Sequence, residues 1–503
     1  MNWLKEGLLL APWPQEIEQT GQDWRLPPQL TIGVPVGASA ETRFAANWLA
    51  EDLYRLAGVD AAVREGAGEI SLALGAATGH AEGYTLEVTP QGAAIVGDDE
   101  AGLAHGCQTL AQLAASEARG TVPGARVRDW PQYALRAVML DVGRAPHPRA
   151  LLERSIRIMA RLKLNALHLH LHDDELNGVR YATLPLGSEN PGALPIAEYG
   201  ELIRYARRYH VHIIPELEAW GHVSSLVYHY PQTYGATGEF GQSFGFGEAT
   251  YDLLERMFAE WVPLLGEPAI LHVGLDEADA AVLADVPPER RDEYTPVTHI
   301  QRLYDILQRL GAAHGKRIEM HLWADHGGRP IPEALKAEVV TEPWMYHVVG
   351  AERIRQYVAK YGGEGKTPFM MGAGASFVHE QGAFAATRVW CREAKGAPNC
   401  RGVTICIWGS NDVGGRLVSV FAGADYAWSP ETPEDPANDP REERLRGDMV
   451  RRMKYWQARF PDADPAAIDA DRGPEAQMGR WRWGALAGQP CGPTADWESG
   501  PAR

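Results

Sequence analysis

Apolar and polar residues alternate in two rhythms along the 503-residue chain. Up to about residue 130 the rhythms are mixed. "EISLALG" and "GYTLEVTPQGAAIVG" change face at every residue, as half-buried strands do, with a turn at Pro90-Gln91-Gly92. "TRFAANWLAEDLYRLAG" and "AGLAHGCQTLAQLAAS" repeat their apolar residues at helical spacing, and Gly58 closes the first. These elements predict a small α+β unit, followed by a Gly/Pro-bearing connector, "RGTVPGARVRDWPQ".

Beyond the connector, short apolar runs take turns with amphipathic helical segments. The runs are "RAVMLDV", "LNALHLHL", "HVHIIPELE", "PAILHVGL", "RIEMHLW", "AEVVTEPW", "TPFMMGAG" and "GVTICIWG". Segments such as "RALLERSIRIMARL" and "HIQRLYDILQRLGAAH" fall between them. This α/β alternation predicts a (β/α)8 TIM barrel preceded by a smaller α+β domain. A doubly wound open sheet is the alternative, but no glycine-rich phosphate loop follows the first run. The expected organisation is an N-terminal α+β domain over 1–130, a catalytic barrel over 131–460, and a C-terminal extension of unknown role over 461–503.

Composition narrows the class. Hydrophobic content of 45% and charged content of 23% are those of an ordinary soluble globular protein. A net charge of −18 argues against a nucleic-acid partner, which normally needs a basic face. No apolar run has membrane-spanning length, so no membrane partner is expected. Glu6 and a Trp-Pro pair interrupt any signal-peptide pattern in "MNWLKEGLLLAPWP". The 5 cysteines are odd in number and lack metal-type spacing, which fits a reduced, cytoplasmic protein. A homodimer stays open. The 16 tryptophans are many, and indole faces stack well on pyranose rings.

In parallel barrels the chemistry collects just past the strands. Those positions hold Arg144, Asp173 and Asp174, His222, Asp276 and Glu277, Trp323 and Asp325, Trp344, and Trp408 with Asp412; the seventh run offers only "GAGAS". Any one of them has a structural explanation, a helix cap for an Asp or core packing for a Trp. Their convergence on one face predicts a site. It contains no Ser or Cys nucleophile paired with His and no phosphate cradle. A carboxylate pair between indole walls suits cleavage of a glycosidic bond. In "ILHVGLDEA" the two acids are neighbours, so they flank one side of a sugar more easily than opposite faces. Asp276 is then poorly placed as a nucleophile, which suggests that the substrate supplies its own.

"HVGLDEA" resembles the His-x-Gly-x-Asp-Glu signature of family 20 glycoside hydrolases, the β-N-acetylhexosaminidases. "RAVMLDVGR" is similar to that family's first barrel strand, "KLNALHLHLHDDE" to its His-x-His-Leu-x-Asp-Asp stretch, and "IIPELEAWGH" to its Ile-Pro-Glu segment, with Trp220 where Pro is usual. "EGYTLEVTPQGAAIVGDDEAGLAHGCQTLAQL" is similar to the α+β domain preceding the barrel. The resemblance implies a retaining, substrate-assisted enzyme that releases terminal N-acetylglucosamine or N-acetylgalactosamine without a cofactor or metal. Asp276 would hold the acetamido N–H and Glu277 would act as general acid and base, its proton favoured by an ionised Asp276. Arg144 would grip the non-reducing sugar, and His222 with Asp173 or Asp174 would tune the acid. Trp323, Trp344 and Trp408 would wall the sugar. Two departures stand out: the family's Tyr-x-Asp on the seventh strand is absent, leaving Tyr346 as a stand-in, and its Trp-x-Glu becomes Trp408-Gly409-Ser410, with Asp412 as substitute.

Two other classes compete. His168, His170 and His172 share one strand face, and His-x-His on a barrel strand can open a metal site, here a metal-dependent hydrolase using His168 and His170. A barrel that binds glycans without cleaving them is the non-enzymatic alternative.

Overall fold

The computed structural model describes residues 8, 10–116, 120–145, 147–238, 241–278, 287–325, 330–346, 351–375, 380–409, 412–429 and 442–472. The chain divides into two compact units. The first gathers residues 1–136 with 157–164 and 417–464, and the second 137–156, 165–416 and 465–503.

The first unit is built on a seven-stranded sheet. Its order is Glu16–Gln19, Ala125–Asp129, Tyr84–Thr89, Gly92–Gly97, Ile70–Leu74, Gln29–Val34 and Asp60–Glu65. The turn at Pro90-Gln91 joins an antiparallel pair, as its sequence predicts. Helices Ala40–Ala57 and Glu100–Ser116 pack on each other and on the sheet. Gly58 ends the first helix in the left-handed conformation, φ +71°, which glycine adopts without a Cβ penalty. The expected connector is different from its reading. Ala125–Asp129 is a strand held between two antiparallel neighbours, with Ala, Val and Asp buried while the arginines alternate outward. Glycine and proline at 120–124 masked that alternation.

The second unit is a closed barrel of eight strands. We number them β1 Leu135–Asp141, β2 Ala166–His170, β3 His212–Glu216, β4 Ala269–His272, β5 Ile318–Ala324, β6 Val339–Pro343, β7 Phe369–Gly374 and β8 Cys400–Ile407. Every neighbouring pair for which a register is defined runs parallel. These are the eight runs expected from the sequence; helices cover the outer face of the strands and packed side chains fill the interior, so both faces are buried. Among the described residues no helix is long and apolar enough to cross a membrane.

The barrel interior is not hydrocarbon. His168 and His272 lie 4.8 Å apart between ring centres, and Trp323 of β5 stacks on His168 of β2 at 5.8 Å, a contact that crosses the barrel. Glu216 joins them, with Oε2 at 2.9 Å from both His168 Nε2 and His170 Nδ1, and Oε1 accepting the Trp323 indole N–H. Burial opposes ionisation of Glu216, yet the charges of His170, His272 and His168 hold its carboxyl well below the usual range. At Glu342 of β6 burial outweighs the His168 charge and the Thr404 hydroxyl, and pushes the carboxyl up to about 7.

Candidate active site

The residues that follow the strands meet around the turn 274–277. Gly274, Leu275 and Glu277 all have positive φ, at +64°, +81° and +44°, and His222 opposite them has +52°. Non-glycine residues in this region cost roughly 1–3 kcal/mol each, so the surroundings must over-determine the turn. They do: Glu218 accepts the Leu275 N–H at 3.3 Å and Asp325 accepts the Glu277 N–H at 3.0 Å. A Cβ on Gly274 would sit 1.9 Å from the Glu218 carboxylate.

The acid pair lies on this turn. Glu277 is partly exposed, and its Oε2 is 3.2 Å from His222 Nε2. His222 Nδ1 is 3.1 Å from Asp174 and 3.5 Å from Asp173, so both aspartates serve the imidazole. Burial disfavours a charged His222, but the Asp173 charge and hydrogen bonds to Asp173, Asp174 and Glu277 outweigh it and raise its pKa well above the imidazole range. Asp276 is buried, and its Oδ1 finds no hydrogen-bond partner among the described residues. Burial pushes its carboxyl up to about 7; His222 lowers it, while Glu216, Asp325 and Glu277 add to the rise. Desolvation thus outweighs its cationic neighbour.

Arg144 is gripped by acids, with Asp141 at 2.9 Å, Asp173 at 2.7 Å and Glu175 at 3.5 Å, and its guanidinium lies 5.3 Å from the Trp408 ring centre. Asp141 also accepts the Gly409 N–H at 2.8 Å, which ties the end of β1 to the residues after β8. Trp323, Trp344, Tyr346 and Trp408 form one cluster with Met139 and Cys406. Trp323 is its buried floor, 1% exposed; Trp344 and Trp408 are partly exposed, and Trp344 stacks on Tyr346 at 5.2 Å. Asp412 is engaged elsewhere: Arg472 pairs with both its oxygens, at 2.6 and 3.0 Å, and it accepts the Gly415 N–H.

Several groups escaped sequence reading. Glu218 is fully buried, and desolvation, Asp276 and Glu216 raise its carboxyl well above the usual range. Its place in "IIPELE" at a strand end was the available signal. The hairpin Tyr234–Gly238 and Gly241–Phe244 was also missed, since "YGATG" and "GQSF" lack apolar alternation. It supports the relay. Asp174 accepts from Ser224 N at 3.0 Å and Gln242 N at 3.3 Å, and Gly241 abuts its carboxylate. Gly241 has φ +136°, and a Cβ there would lie 1.9 Å from Asp174. Gly241→Ala is expected to displace Asp174 and cut turnover about 100-fold, the usual cost of a 1 Å misplacement. Steady-state kinetics beside a thermal melt checks this; unchanged kcat in a folded variant would sink it.

By distance alone, four sets among the described residues could hold a cation: His168, Glu216 and His272; His170, Glu216 and Glu218; Asp173, Asp174 and His222; and His222, Asp276 and Glu277. In each, imidazole and carboxylate already lie within ion-pair distance.

A closed parallel barrel with a carboxyl pair, an imidazole–carboxylate relay and indole walls past its strand ends has the architecture of the barrel glycoside hydrolases. Comparison with known families is more specific. Residues 8–130 match "Glycosyl hydrolase family 20, domain 2" and residues 133–346 match "Glycosyl hydrolase family 20, catalytic domain". The chain belongs to glycosyl hydrolase family 20. The catalytic-domain match stops at the end of the β6 region, so β7 and β8, where the sequence departs from the family pattern, lie outside it. The chain is 25% identical over 353 residues to a beta-hexosaminidase of Porphyromonas gingivalis, covering 62% of this chain and 45% of that protein. It is 31% identical over 219 residues to a beta-N-acetylhexosaminidase of Cellulomonas fimi, covering 39% and 44%. It thus spans less than half the length of these curated relatives. The fold is that of Streptomyces plicatus N-acetyl-beta-hexosaminidase, solved in complex with thio-NAglucal, with a TM-score of 0.69 at 24% identity over 90% of this chain and 96% of that one.

Proposed function

We propose that this protein is a retaining exo-β-N-acetylhexosaminidase that releases terminal N-acetylglucosamine or N-acetylgalactosamine from glycans by substrate-assisted catalysis. The observation that carries the reading is the unpartnered Oδ1 of buried Asp276, on the same turn as Glu277. An orphaned buried carboxylate oxygen is costly, and an acetamido N–H would satisfy it. The acetamido carbonyl oxygen then attacks the anomeric carbon, the glycosidic C–O bond breaks, and Glu277 gives its proton to the leaving oxygen. The cyclic cation stays beside Asp276. Glu277, now a carboxylate, takes a proton from the water that opens it, and the sugar leaves with retained configuration. His222, backed by Asp173 and Asp174, stabilises that carboxylate between the two steps. Trp344 and Trp408 offer faces for the ring over the Trp323 floor, Arg144 faces the distal hydroxyls, and Tyr346 stands in for the missing tyrosine. The relatives' names and the S. plicatus complex with an N-acetylated glucal analogue support the substrate class.

The experiment is a change of substrate. A β-glucoside with a 2-hydroxyl in place of the acetamido group should be nearly inert, and a thiazoline mimic of the cyclic intermediate should inhibit strongly. Mass spectrometry with a slow 2-fluoro sugar decides the nucleophile: a stable adduct on any carboxylate would make this a conventional double-displacement enzyme.

A further inference from the structure

The turn that carries both acids is suspended from two other carboxylates, and only one of them touches Glu277. Asp325 follows β5 directly, on a strand whose next residue inward, Ala324, is buried, so its backbone is rigidly mounted. Its Oδ2 accepts the Glu277 N–H at 3.0 Å, and its Oδ1 lies 3.4 Å from the Trp344 indole nitrogen. Glu277 itself sits at φ +44°, a conformation that a β-carbon disfavours. A charged acceptor on its N–H is the strongest kind of hydrogen bond available to hold it there. We infer that Asp325 is a positioning residue that fixes the backbone of Glu277 and sets the acid's reach relative to the Trp344 wall. This rests on the function proposed above.

The geometry explains why a carboxylate is needed. One neutral acceptor could bind the Glu277 N–H, but two acceptors in one plane are required to meet a backbone donor and an indole donor together. Release of either end lets the turn relax toward a commoner conformation and swings the Glu277 carboxyl away from the glycosidic oxygen.

The test compares leaving groups. In Asp325→Ala, kcat on an N-acetylglucosaminide with an alkyl or sugar aglycone is expected to fall about 100-fold. With a dinitrophenyl aglycone, which needs little proton donation, the loss should stay below about tenfold. Asp325→Asn keeps one carbonyl acceptor and should recover part of the first loss. Should the alanine variant not fold, Asp325→Glu keeps the charge while moving the acceptor, and must show the same split. Equal losses on both aglycones, no loss, or a change confined to KM would overturn the inference, since each would mean that Asp325 does not act through the acid. A wild-type protein inactive on every N-acetylhexosaminide would instead overturn the functional reading itself.

Discussion

Glu277→Gln is expected to lose about 10³-fold in kcat on N-acetylhexosaminides with poor leaving groups, within the range that a positioned general acid supplies. Dinitrophenyl glycosides should lose far less. The carboxamide keeps the shape and can still meet His222 Nε2, now 3.2 Å away, so the scaffold should survive. What disappears is the transferable proton. Stopped assays with a series of aglycones measure the dependence directly: the variant's rate should climb steeply as the leaving group's pKa falls, while the wild type's barely changes. A flat series for the variant would remove Glu277 from the acid role and point to one of the other carboxylates around the turn.

Asp276→Asn should separate rate from stability. Turnover is expected to fall by about 10³-fold, because a neutral amide cannot stabilise the cyclic cation that forms beside it. Stability should move the other way. The Asp276 carboxyl is raised to about 7 in the folded protein, against 3.8 ordinarily. Between those values the folded state keeps a proton that the unfolded state has released, so Asp276 erodes stability as pH rises through that window and most fully above 7. The gap corresponds to an upper bound of about 4 kcal/mol. The variant should therefore outlast the wild type in denaturant at pH 8, with the difference shrinking towards pH 4; a variant less stable at pH 8 would refute this. The same ionisation shapes activity. Catalysis needs the carboxylate, so kcat/KM should decline below about pH 7, while kcat persists to lower pH because bound substrate donates its N–H to the ionised form.

How much of this could be read beforehand differs by element. The eight apolar runs were visible because strands of a parallel barrel are covered on both faces and need no polar alternation. The acids were visible because adjacent charges at the end of an apolar run have few structural uses. The seventh run, "GAGAS", looked merely empty. In the structure its small residues are a packing requirement: a Cβ on Gly372 would lie 2.7 Å from the Trp344 Cβ, and one on Gly374 2.6 Å from that of Tyr346. β7 thus gives up side chains so that the aromatic wall can stand. Trp323 was expected at the rim and lies buried below it, because its N–H finds Glu216 inside the barrel. Asp412 was placed with the site by its position after β8, but Arg472, sixty residues later, claims it. Such long-range pairing leaves no local trace.

The ionised barrel core has a consequence for how this scaffold can change. Glu216 is shared by His168, His170 and His272 in a region closed to water. Deleting it alone removes the acceptor that the three buried imidazoles share and leaves His170 with Asp173 as its close counter-charge, a loss of about 3–5 kcal/mol, a large share of a typical folding margin. Replacing His170, whose pKa is raised well above the imidazole range, leaves the carboxylate under-compensated for the same reason. Yet exchanging the whole group for well-fitted hydrocarbon is often neutral or stabilising in comparable interiors. The low-cost destination is therefore walled off by high-cost intermediates. Libraries that vary Glu216 or His170 singly should return mostly insoluble protein, and those that vary all four positions together should contain folded members with a greasy core.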